Sequence, residues 1–592
     1  MKFVVLVLAY DGTIARDGAL DRSVRQAIAV AREAGLVVVL ATGRTLGDLR
    51  RQVGDLGLFD AVVAENGAVV TFPGAGHSRV LAPPPADTFV AALRAHRLDP
   101  AVGQCVVETP AAAAHEVLSI IRQLRLSAVP VFDGDRLLVL PDGISKATGL
   151  REVFDDLRLS AHNAIAIGDG ENDLRMLELC ERGVAVSWGS EALKAAADEV
   201  IEGTGPAAVA AYIERVVSSP AIPASRSPRR RALLGHTVGG DEIGVALGGG
   251  NLLVAGDPKS GKSWVTGLLC EQLALQKYCV CVLDPEGDYS GLEQLPGVIV
   301  LGGNDPPPRP HELLRALRHP DLSVVIDLSR LPHSEKAEYL ESALPALALV
   351  RRRAGVPHRI VVDEAHYFLG APRAIELLDL ELGGYVLATY QTALLDPACV
   401  QAADTIIVTL ASDPREIQTL AAASGLERPD EAWSSTLARL DLGEAVVLPG
   451  RHAGDRALRR FTLVPRLTPH VRHREKYLDV PVPARRAFMF DMPGIAAPAA
   501  RTLREFVDVI TSAPSEALDG HLRRRDFSRW IGDVFGDYQL ASRVRDLEDQ
   551  YLVGWSPDVN DALVRAVRER YDFPDVRSLD NPWCLFRSGR PS

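Results

Sequence analysis

A glycine-rich string in the middle of the chain places the strongest constraint on its fold. Residues 256–263 read GDPKSGKS, which matches the pattern G-x-x-x-x-G-K-[ST]. The apolar run NLLVAG precedes the string, and the helix-like pattern WVTGLLCEQLAL follows it. A strand, a tight turn and a helix in this order form one unit of an α/β sheet with crossover helices. Backbone N–H groups of such a turn surround a phosphate, and the helix dipole adds positive potential.

The side chains of this string have separate expected roles in binding ATP. Lys262 is expected to reach the β- and γ-phosphates, and the Ser263 hydroxyl is expected to bind Mg²⁺. Gly256, Ser260 and Gly261 are predicted to line the same cofactor site.

Two later strand ends supply the remaining groups that hydrolysis needs. RIVVDEAH, residues 359–366, predicts that Asp363 holds the Mg²⁺ shell and that Glu364 polarises the attacking water. A glutamate here favours hydrolysis over transfer of the phosphoryl group to an organic acceptor. In YVLATYQT, residues 385–392, Gln391 is the best candidate to sense the γ-phosphate, with Thr389 behind it.

Five strings in order define a resemblance over roughly 232–480: GDPKSGKS, VLDPEGDYS, VVIDLSRLP, VVDEAHYFLG and ATYQT. Together they resemble the HerA/FtsK translocase superfamily. The resemblance implies a RecA-like P-loop domain in a hexameric ring that threads DNA, with each ATP site completed by a neighbour's arginine. Candidates for that arginine are Arg415, Arg459 and Arg460.

Residues 1–216 alternate short apolar runs with helix-like stretches, which is typical of a parallel sheet with crossover helices. AYDGTIA, LATGR, SKATGL and IGDGENDLRML resemble the four motifs of haloacid-dehalogenase-type phosphatases, close to the Cof-like branch. The resemblance implies a Rossmann-like domain with a small α/β cap at about 72–140.

The matching motifs imply a phosphatase site with distinct roles for its residues. Thr42 and Lys146 would hold the phosphoryl oxygens, and Asp11 would be the acid–base residue. The implied Mg²⁺ site consists of Asp11, Asp169, Asn172 and Asp173.

The nucleophile position departs from this family's pattern. The family has D-x-D-G-T, whereas this chain has Ala9 at the first aspartate. A methyl group cannot attack phosphorus, and loss of a covalent nucleophile costs several orders of magnitude in rate. Either the domain is a natural pseudophosphatase that binds a phosphorylated ligand, or the alanine was introduced to silence a working enzyme. We favour the second interpretation, because the other motif residues are intact.

The rest of the chain is less specific. SSPAIPASRSPRRR, within 217–231, predicts a linker whose arginines are solvated, and 485–592 predicts a small α-helical domain. Seven cysteines without metal spacing, and no apolar run long enough for a membrane span, favour a cytoplasmic protein without membrane contact. The net charge of −12 argues weakly against nucleic acid, although an acidic ring can enclose a basic pore.

These features lead to one main functional hypothesis and two alternatives. The main hypothesis is a ring ATPase that acts on DNA or another nucleic acid, fused to an Mg²⁺-dependent phosphatase domain that acts on a nucleic-acid end, a nucleotide or a small metabolite. One alternative is a polynucleotide kinase–phosphatase, although LDPEGDY and Glu364 argue against a kinase. The other is a sensor in which a phosphorylated ligand on the N-terminal domain gates the ATPase.

Overall fold

The computed structural model describes residues 1–219, 228–370, 372, 374–427, 429–449, 457–468, 482, 484–491, 498–535, 537–554 and 558–570. The chain divides into two compact units. The first contains the described residues of 1–256 and 261–470, and the second contains those of 257–260 and 471–592. Every helix in the described part of the chain is too short or too polar to cross a membrane.

The N-terminal part of the first unit is an α/β domain with a separate cap. Its strands are β1 Val5–Ala9, β2 Ala15–Arg16, β3 Ala19–Leu20, β4 Val37–Ala41, β5 Ala61–Ala64, β6 Val69–Phe72, β7 His77–Val80, β8 Ala101–Val102, β9 Val107–Pro110, β10 Ala128–Asp133, β11 Arg136–Pro141, β12 Ala164–Gly168, β13 Arg182–Val186 and β14 Glu199–Ile201. Its helices are α1 Arg22–Glu33, α2 Leu46–Val53, α3 Asp87–Ala95, α4 Ala114–Leu124, α5 Lys146–Leu157, α6 Leu174–Leu179, α7 Glu191–Ala196 and α8 Pro206–Ser218.

The main sheet of this domain has the strand order β14-β13-β12-β1-β4-β5-β6-β7. The first six of these strands are parallel, and their buried valine, leucine, isoleucine and alanine residues pack between helices on both faces. The carboxyl ends of β1, β4 and β12 carry three of the four predicted phosphatase motifs, so the topology brings those motifs to one edge.

The cap is a four-stranded antiparallel sheet, β10-β11-β9-β8, with helices α3 and α4. It has its own small core, which includes Phe89, Leu93, Val117 and Ile120. The cap is predicted to start at about residue 72, but β7 belongs to the main sheet, since it pairs antiparallel with β6, which itself pairs with β5. The cap elements therefore run from α3 to β11.

The second part of the first unit is built around an 11-stranded sheet. Its strands are β15 Arg231–His236, β16 Glu242–Ala246, β17 Leu252–Ala255, β18 Val280–Asp284, β19 Val298–Gly302, β20 Ser323–Asp327, β21 Arg359–Val362, β22 Tyr385–Thr389, β23 Thr405–Val408, β24 Glu444–Val447 and β25 Arg459–Leu463. Its helices are α9 Lys262–Leu275, α10 Pro310–Ala316, α11 His333–Ala354, α12 Ala374–Leu377, α13 Pro397–Gln401, α14 Pro414–Ala423 and α15 Glu431–Ala438.

The strand order of this sheet is β16-β15-β25-β24-β23-β17-β22-β21-β18-β20-β19. The strands from β23 to β19 are parallel, and β24, β25, β15 and β16 extend the sheet with antiparallel pairing. β22 lies between β17 and β21, so the glycine-rich loop and both later strand ends lie at the same edge of the sheet.

One hydrophobic core continues from the N-terminal domain into the second sheet. It joins Phe3, Ile28 and Tyr212 of the first domain to Leu268 and Phe461 of the second. A buried polar cluster lies within this boundary. The Glu181 carboxylate accepts a hydrogen bond from the Tyr278 hydroxyl at 2.7 Å and lies 2.9 Å from Nδ1 of His162, whose ring stacks on Tyr278.

The arginines predicted as part of a solvated linker are bound to the N-terminal domain. Arg229 pairs with Asp198 at 2.6 Å, and Arg230 donates to the backbone carbonyls of residues 178–180. The expectation of a free tether is therefore wrong for these two residues, because buried acceptors of the N-terminal domain bind them. Residues 220–227 of the predicted linker lie outside the described part.

The second unit is mainly helical, as predicted. Its elements are β26 Phe488–Met489, β27 Ala499–Ala500, α16 Leu503–Ser512, α17 Ser515–Arg524, α18 Asp526–Trp530, α19 Tyr538–Leu552 and α20 Val559–Arg570. Aromatic side chains, among them Phe488, Phe506, Phe527 and Trp530, form its core through edge and tilted contacts.

Candidate active sites

The glycine-rich loop connects the end of β17 to the start of α9. Gly256 and Gly261 have φ values of 155° and 106°, a region that favours glycine. α9 begins at Lys262, so the N–H groups of its first turn adjoin the loop. Lys262 is buried, and its Nζ lies 5.7 Å from the centroid of the Tyr390 ring. Ser260 is also buried and belongs to the second unit.

The predicted acidic pair directly follows β21. Asp363 and Glu364 are 1% and 3% exposed. The Glu364 backbone has a φ of 46°, and its N–H donates to Oδ1 of Asp363 at 2.9 Å. A left-handed conformation at a residue other than glycine costs of order 1–3 kcal/mol, and such strain is concentrated at functional sites.

The end of β22 lies next to this acidic pair through a buried histidine. Nδ1 of His366 lies 3.0 Å from Oγ1 of Thr389 and 3.8 Å from Oε2 of Glu364. The backbone N–H of Gln391 donates to the same Thr389 hydroxyl at 3.0 Å. The structure thus connects Glu364 to the predicted sensor strand through His366, which the sequence analysis quoted but gave no role.

Two aspartates of the LDPEGDY string are functional candidates that the sequence analysis did not single out. Asp284, at the end of β18, accepts backbone N–H groups of residues 286–289. Burial, and then the carboxylates of Asp288 and Asp363, raises the pKa of Asp284 well above its usual range. Asp288 accepts a hydrogen bond from the Ser263 hydroxyl at 2.8 Å. A buried contact between distant segments leaves no signal in a single sequence.

The arginine candidates differ in their surroundings. Arg415 is exposed near the start of α14, and Arg459 is exposed on β25. Arg460 pairs with Glu444 on the neighbouring strand β24. A further arginine, Arg466, is fully buried, lies 3.6 Å from the Glu271 carboxylate of α9 and therefore helps to fix the helix that follows the loop.

The phosphatase-like site brings three of its predicted residues into direct contact. Nζ of Lys146 donates to Oδ1 of Asp173 at 2.6 Å, and both side chains are buried. Oδ2 of Asp173 accepts the backbone N–H of Asp169 at 3.0 Å, and the Asp169 carboxylate accepts from the Thr13 hydroxyl at 2.7 Å. Burial, followed by the charge of Asp173, raises the pKa of Asp169 to about 7.

The expected acid–base residue, Asp11, is held by two arginines. Nε and Nη2 of Arg44 donate to the Asp11 carboxylate at 2.7–3.0 Å. Arg136, on cap strand β11, donates to Oδ2 of Asp11 at 3.1 Å and also pairs with Glu108 and Asp133 of the cap. The cap therefore contacts the edge of the main domain that carries the predicted phosphatase motifs. Neither arginine is among the site residues predicted from the sequence.

The nucleophile position is the buried end of β1. Ala9 is 1% exposed and pairs in register with Ala41, directly before buried Thr42. Across the described residues, no three His, Cys, Asp or Glu side chains are arranged to hold a metal ion. The predicted Mg²⁺ role of Asp11, Asp169, Asn172 and Asp173 stays a prediction.

Both domains of the first unit are similar to known proteins. Residues 6–93 and 123–213 match the haloacid dehalogenase-like hydrolases, and residues 252–354 match the central domain of helicase HerA. A phosphoglycolate phosphatase of Methanosarcina acetivorans is 31% identical over 211 residues, which cover 34% of this chain and 92% of that protein. A phosphoglycolate phosphatase of Methanopyrus kandleri is 29% identical over 232 residues, covering 36% and 97%. A crystal structure of a haloacid dehalogenase-like hydrolase from Bacteroides thetaiotaomicron covers 36% of this chain and 100% of its own, at 20% identity and a TM-score of 0.33.

Through its N-terminal domain, the chain belongs to the haloacid dehalogenase-like hydrolases. The same polypeptide continues into a HerA-type ATPase domain, so it joins a phosphatase-like domain to a P-loop domain.

Proposed function

We propose that this chain is a ring-forming motor that hydrolyses ATP with Mg²⁺ and acts on nucleic acid. The observation that carries the proposal is that the glycine-rich loop and the buried Asp363–Glu364 pair follow the carboxyl ends of β17 and β21, at one sheet edge of a HerA-type domain. The strained backbone of Glu364 supports a role in the reaction.

The residues at this edge have different roles in ATP hydrolysis. Lys262 binds the β- and γ-phosphates, Glu364 takes the proton of the attacking water, and Gln391 contacts the γ-phosphate. Ser263 and Asp363 would hold Mg²⁺, which supplies positive charge to the phosphoryl oxygens when bound. The donor set fits this ion, because Mg²⁺ is usually held by one or two protein oxygens, nucleotide phosphates and water.

We further propose that a neighbouring subunit completes each ATP site with an arginine. Arg415 is the first candidate because it is exposed, whereas Arg460 is engaged with Glu444. In this arrangement the hexameric ring encloses DNA or another polymer. The HerA match supports it over the polynucleotide kinase alternative, which needs an acceptor hydroxyl beside the γ-phosphate.

The experiment compares ATP hydrolysis and particle size for the wild type and two variants. Glu364→Gln should lower kcat by about 100-fold or more while nucleotide binding is retained. Arg415→Ala should lower kcat only in the assembled particle. Light scattering with ATP and Mg²⁺ should give a six-subunit mass, and duplex DNA should stimulate hydrolysis. A monomer whose rate of ATP hydrolysis is the same with and without DNA would contradict the ring-motor proposal.

For the N-terminal domain, the proposal is binding of a phosphorylated ligand without turnover. Thr42 and Lys146 remain in place, but the nucleophile position is occupied by Ala9. Arg44 and Arg136 also neutralise Asp11, which favours a binding role. The relatives named phosphoglycolate phosphatases suggest a small phosphorylated acid as the ligand.

Restoring the nucleophile tests this part separately. If the alanine silences an otherwise working enzyme, Ala9→Asp should release phosphate from 2-phosphoglycolate in an Mg²⁺-dependent reaction. The double variant Ala9→Asp/Lys146→Ala is the control and should be inactive. No gain in Ala9→Asp would contradict the silenced-enzyme interpretation and favour a domain adapted to binding.

The sensor alternative gains support from the continuous core between the two domains. In that case a ligand on the N-terminal domain changes the ATPase rate without itself being hydrolysed. Titrating 2-phosphoglycolate into the ATPase assay distinguishes the two possibilities, because an unlinked phosphatase-like domain leaves kcat unchanged.

A further inference from the structure

The hydroxyl group expected to bind Mg²⁺ is already oriented by a carboxylate from another segment. Oγ of Ser263, in the first turn of α9, donates a hydrogen bond to Oδ2 of Asp288 at 2.8 Å. Asp288 is 4% exposed and lies 25 residues along the chain, beyond β18. The contact joins the glycine-rich loop to the LDPEGDY string.

Asp288 is held in place by a rigid turn. The buried Asp284 carboxylate accepts four backbone N–H groups, from residues 286–289, at 2.7–3.2 Å. One of these N–H groups belongs to Asp288 itself. Four hydrogen bonds to one buried carboxyl group fix this turn, so the backbone that presents Asp288 has little freedom.

The direction of the Ser263 hydrogen bond has a chemical consequence. A serine hydroxyl has one hydrogen and two oxygen lone pairs. When the hydrogen is directed to Asp288, the lone pairs of Oγ point elsewhere and can bind a cation. A carboxylate that accepts the hydrogen also makes the oxygen a better donor to a metal, as outer partners of metal ligands do in general.

We propose that Asp288 is a positioning residue for nucleotide-bound Mg²⁺, acting through the hydroxyl of Ser263. The inference rests on the proposed ATPase function and adds a residue to its site. It differs from a packing role for Asp288, because a packing role would affect nucleotide affinity equally with and without the metal.

The test measures binding of a fluorescent ATP analogue to the full chain, once with Mg²⁺ and once with EDTA. In Asp288→Ala the affinity with Mg²⁺ should fall by about 10- to 100-fold, while the affinity in EDTA stays within twofold of the wild type. Asp288→Asn keeps an acceptor oxygen for the serine hydroxyl, so most of the loss should be recovered. Ser263→Ala should lower the affinity measured with Mg²⁺ as Asp288→Ala does. The double variant should bind the analogue about as weakly as either single variant, because both changes remove the same interaction.

Two controls separate this effect from general damage. Asp305→Ala removes an exposed carboxylate of the same domain and should leave both affinities unchanged. Asp284→Ala leaves four backbone N–H groups without their acceptor and should lower both affinities together with the melting temperature.

The outcomes distinguish the inference from the function on which it rests. Equal losses with Mg²⁺ and with EDTA in Asp288→Ala, or no loss in either condition, would overturn the positioning role while leaving the ATPase proposal intact. A wild type that binds the analogue no better with Mg²⁺ than with EDTA would overturn both.

Discussion

Replacing Tyr278 by phenylalanine removes a single oxygen from the boundary between the two domains of the first unit. The hydroxyl donates to Glu181 at 2.7 Å, and both residues are 1% exposed. A buried hydrogen bond to a charged group is worth about 1.5–3 kcal/mol. His162 still contacts the Glu181 carboxylate in the variant. The loss in free energy of unfolding should therefore stay within this range and remain below the cost of an unpaired buried charge.

The assay is native-state hydrogen exchange of the slowest amides in β1, β12, β18 and β21. A loss of 1.5–3 kcal/mol corresponds to exchange roughly 10- to 150-fold faster wherever opening is global. Because one core continues through both domains, β1 and β12 should accelerate by the same factor as β18 and β21. The matched control is Tyr551→Phe, which removes a hydroxyl bond to Asp519 in the second unit and should leave these four strands unchanged.

The result that would refute this reasoning is faster exchange confined to β18 and β21. It would mean that the phosphatase-like domain unfolds independently and that the boundary contributes nothing to cooperativity. An unchanged rate in all four strands would show that Glu181 compensates fully through His162 and Arg230, which lies 3.7 Å away.

Three further predictions test the domains separately. Gly67→Ala should destabilise the chain by about 2 kcal/mol more than Gly54→Ala. Both glycines have a positive φ, so the backbone strain is similar in the two variants. An added Cβ at Gly67 would lie 1.8 Å from the Ser145 carbonyl oxygen, whereas one at Gly54 would face open space. Denaturant melts check this, and equal losses would contradict it. Arg136→Gln should speed hydrogen exchange of cap strands β10 and β11, because the cap loses its ion pair with Asp11; unchanged exchange would show that other contacts close the cap. In the native protein at pH 8, the six cysteines of the described residues, all buried, should resist iodoacetamide, since burial raises the thiol pKa of Cys180, Cys270 and Cys399 to about 12. Mass spectrometry before and after unfolding checks this, and modification of these thiols in the native state would contradict it.

The sequence predicts those parts of the fold and sites that local pattern determines. The three strands predicted next to the ATP site, in NLLVAG, RIVVDEAH and YVLATYQT, are present as β17, β21 and β22. Each is a short apolar run bounded by turn residues, which periodicity detects. The glycine-rich loop and the acidic pair are contiguous motifs, so their positions follow once the strands are assigned.

Features that depend on contacts between distant segments could not be predicted from the sequence. Asp288, Arg136 and Arg466 act on partners 25, 125 and 195 residues away, respectively, and nothing in their immediate neighbours indicates this. The predicted cap begins too early because β7 lies after residue 72 and its sequence does not indicate whether it joins the cap sheet or the main sheet. The linker arginines look solvated in sequence, and only the acceptors of the N-terminal domain explain why Arg229 and Arg230 are bound.

The boundary cluster also limits how the two sites can work together. His162 and Asn163 directly precede β12, Cys279 precedes β18, and His358 precedes β21. The His358 ring links them: Nε2 lies 3.1 Å from Oδ1 of Asn163, and Nδ1 accepts the backbone N–H of Cys279 at 2.7 Å. The amino ends of these three strands therefore meet in one buried network.

The carboxylates of the two candidate sites, in contrast, lie at the opposite ends of the same strands: Asp169 after β12, Asp284 at the end of β18 and Asp363 after β21. A strand of five residues spans about 17 Å, so each site lies about one strand length from the shared network. We therefore expect an influence of a phosphorylated ligand on ATP hydrolysis to pass through the shared core and the His358 network, which connect the two domains. Replacing His358 should weaken such an influence while leaving ligand binding at Thr42 and Lys146 unchanged.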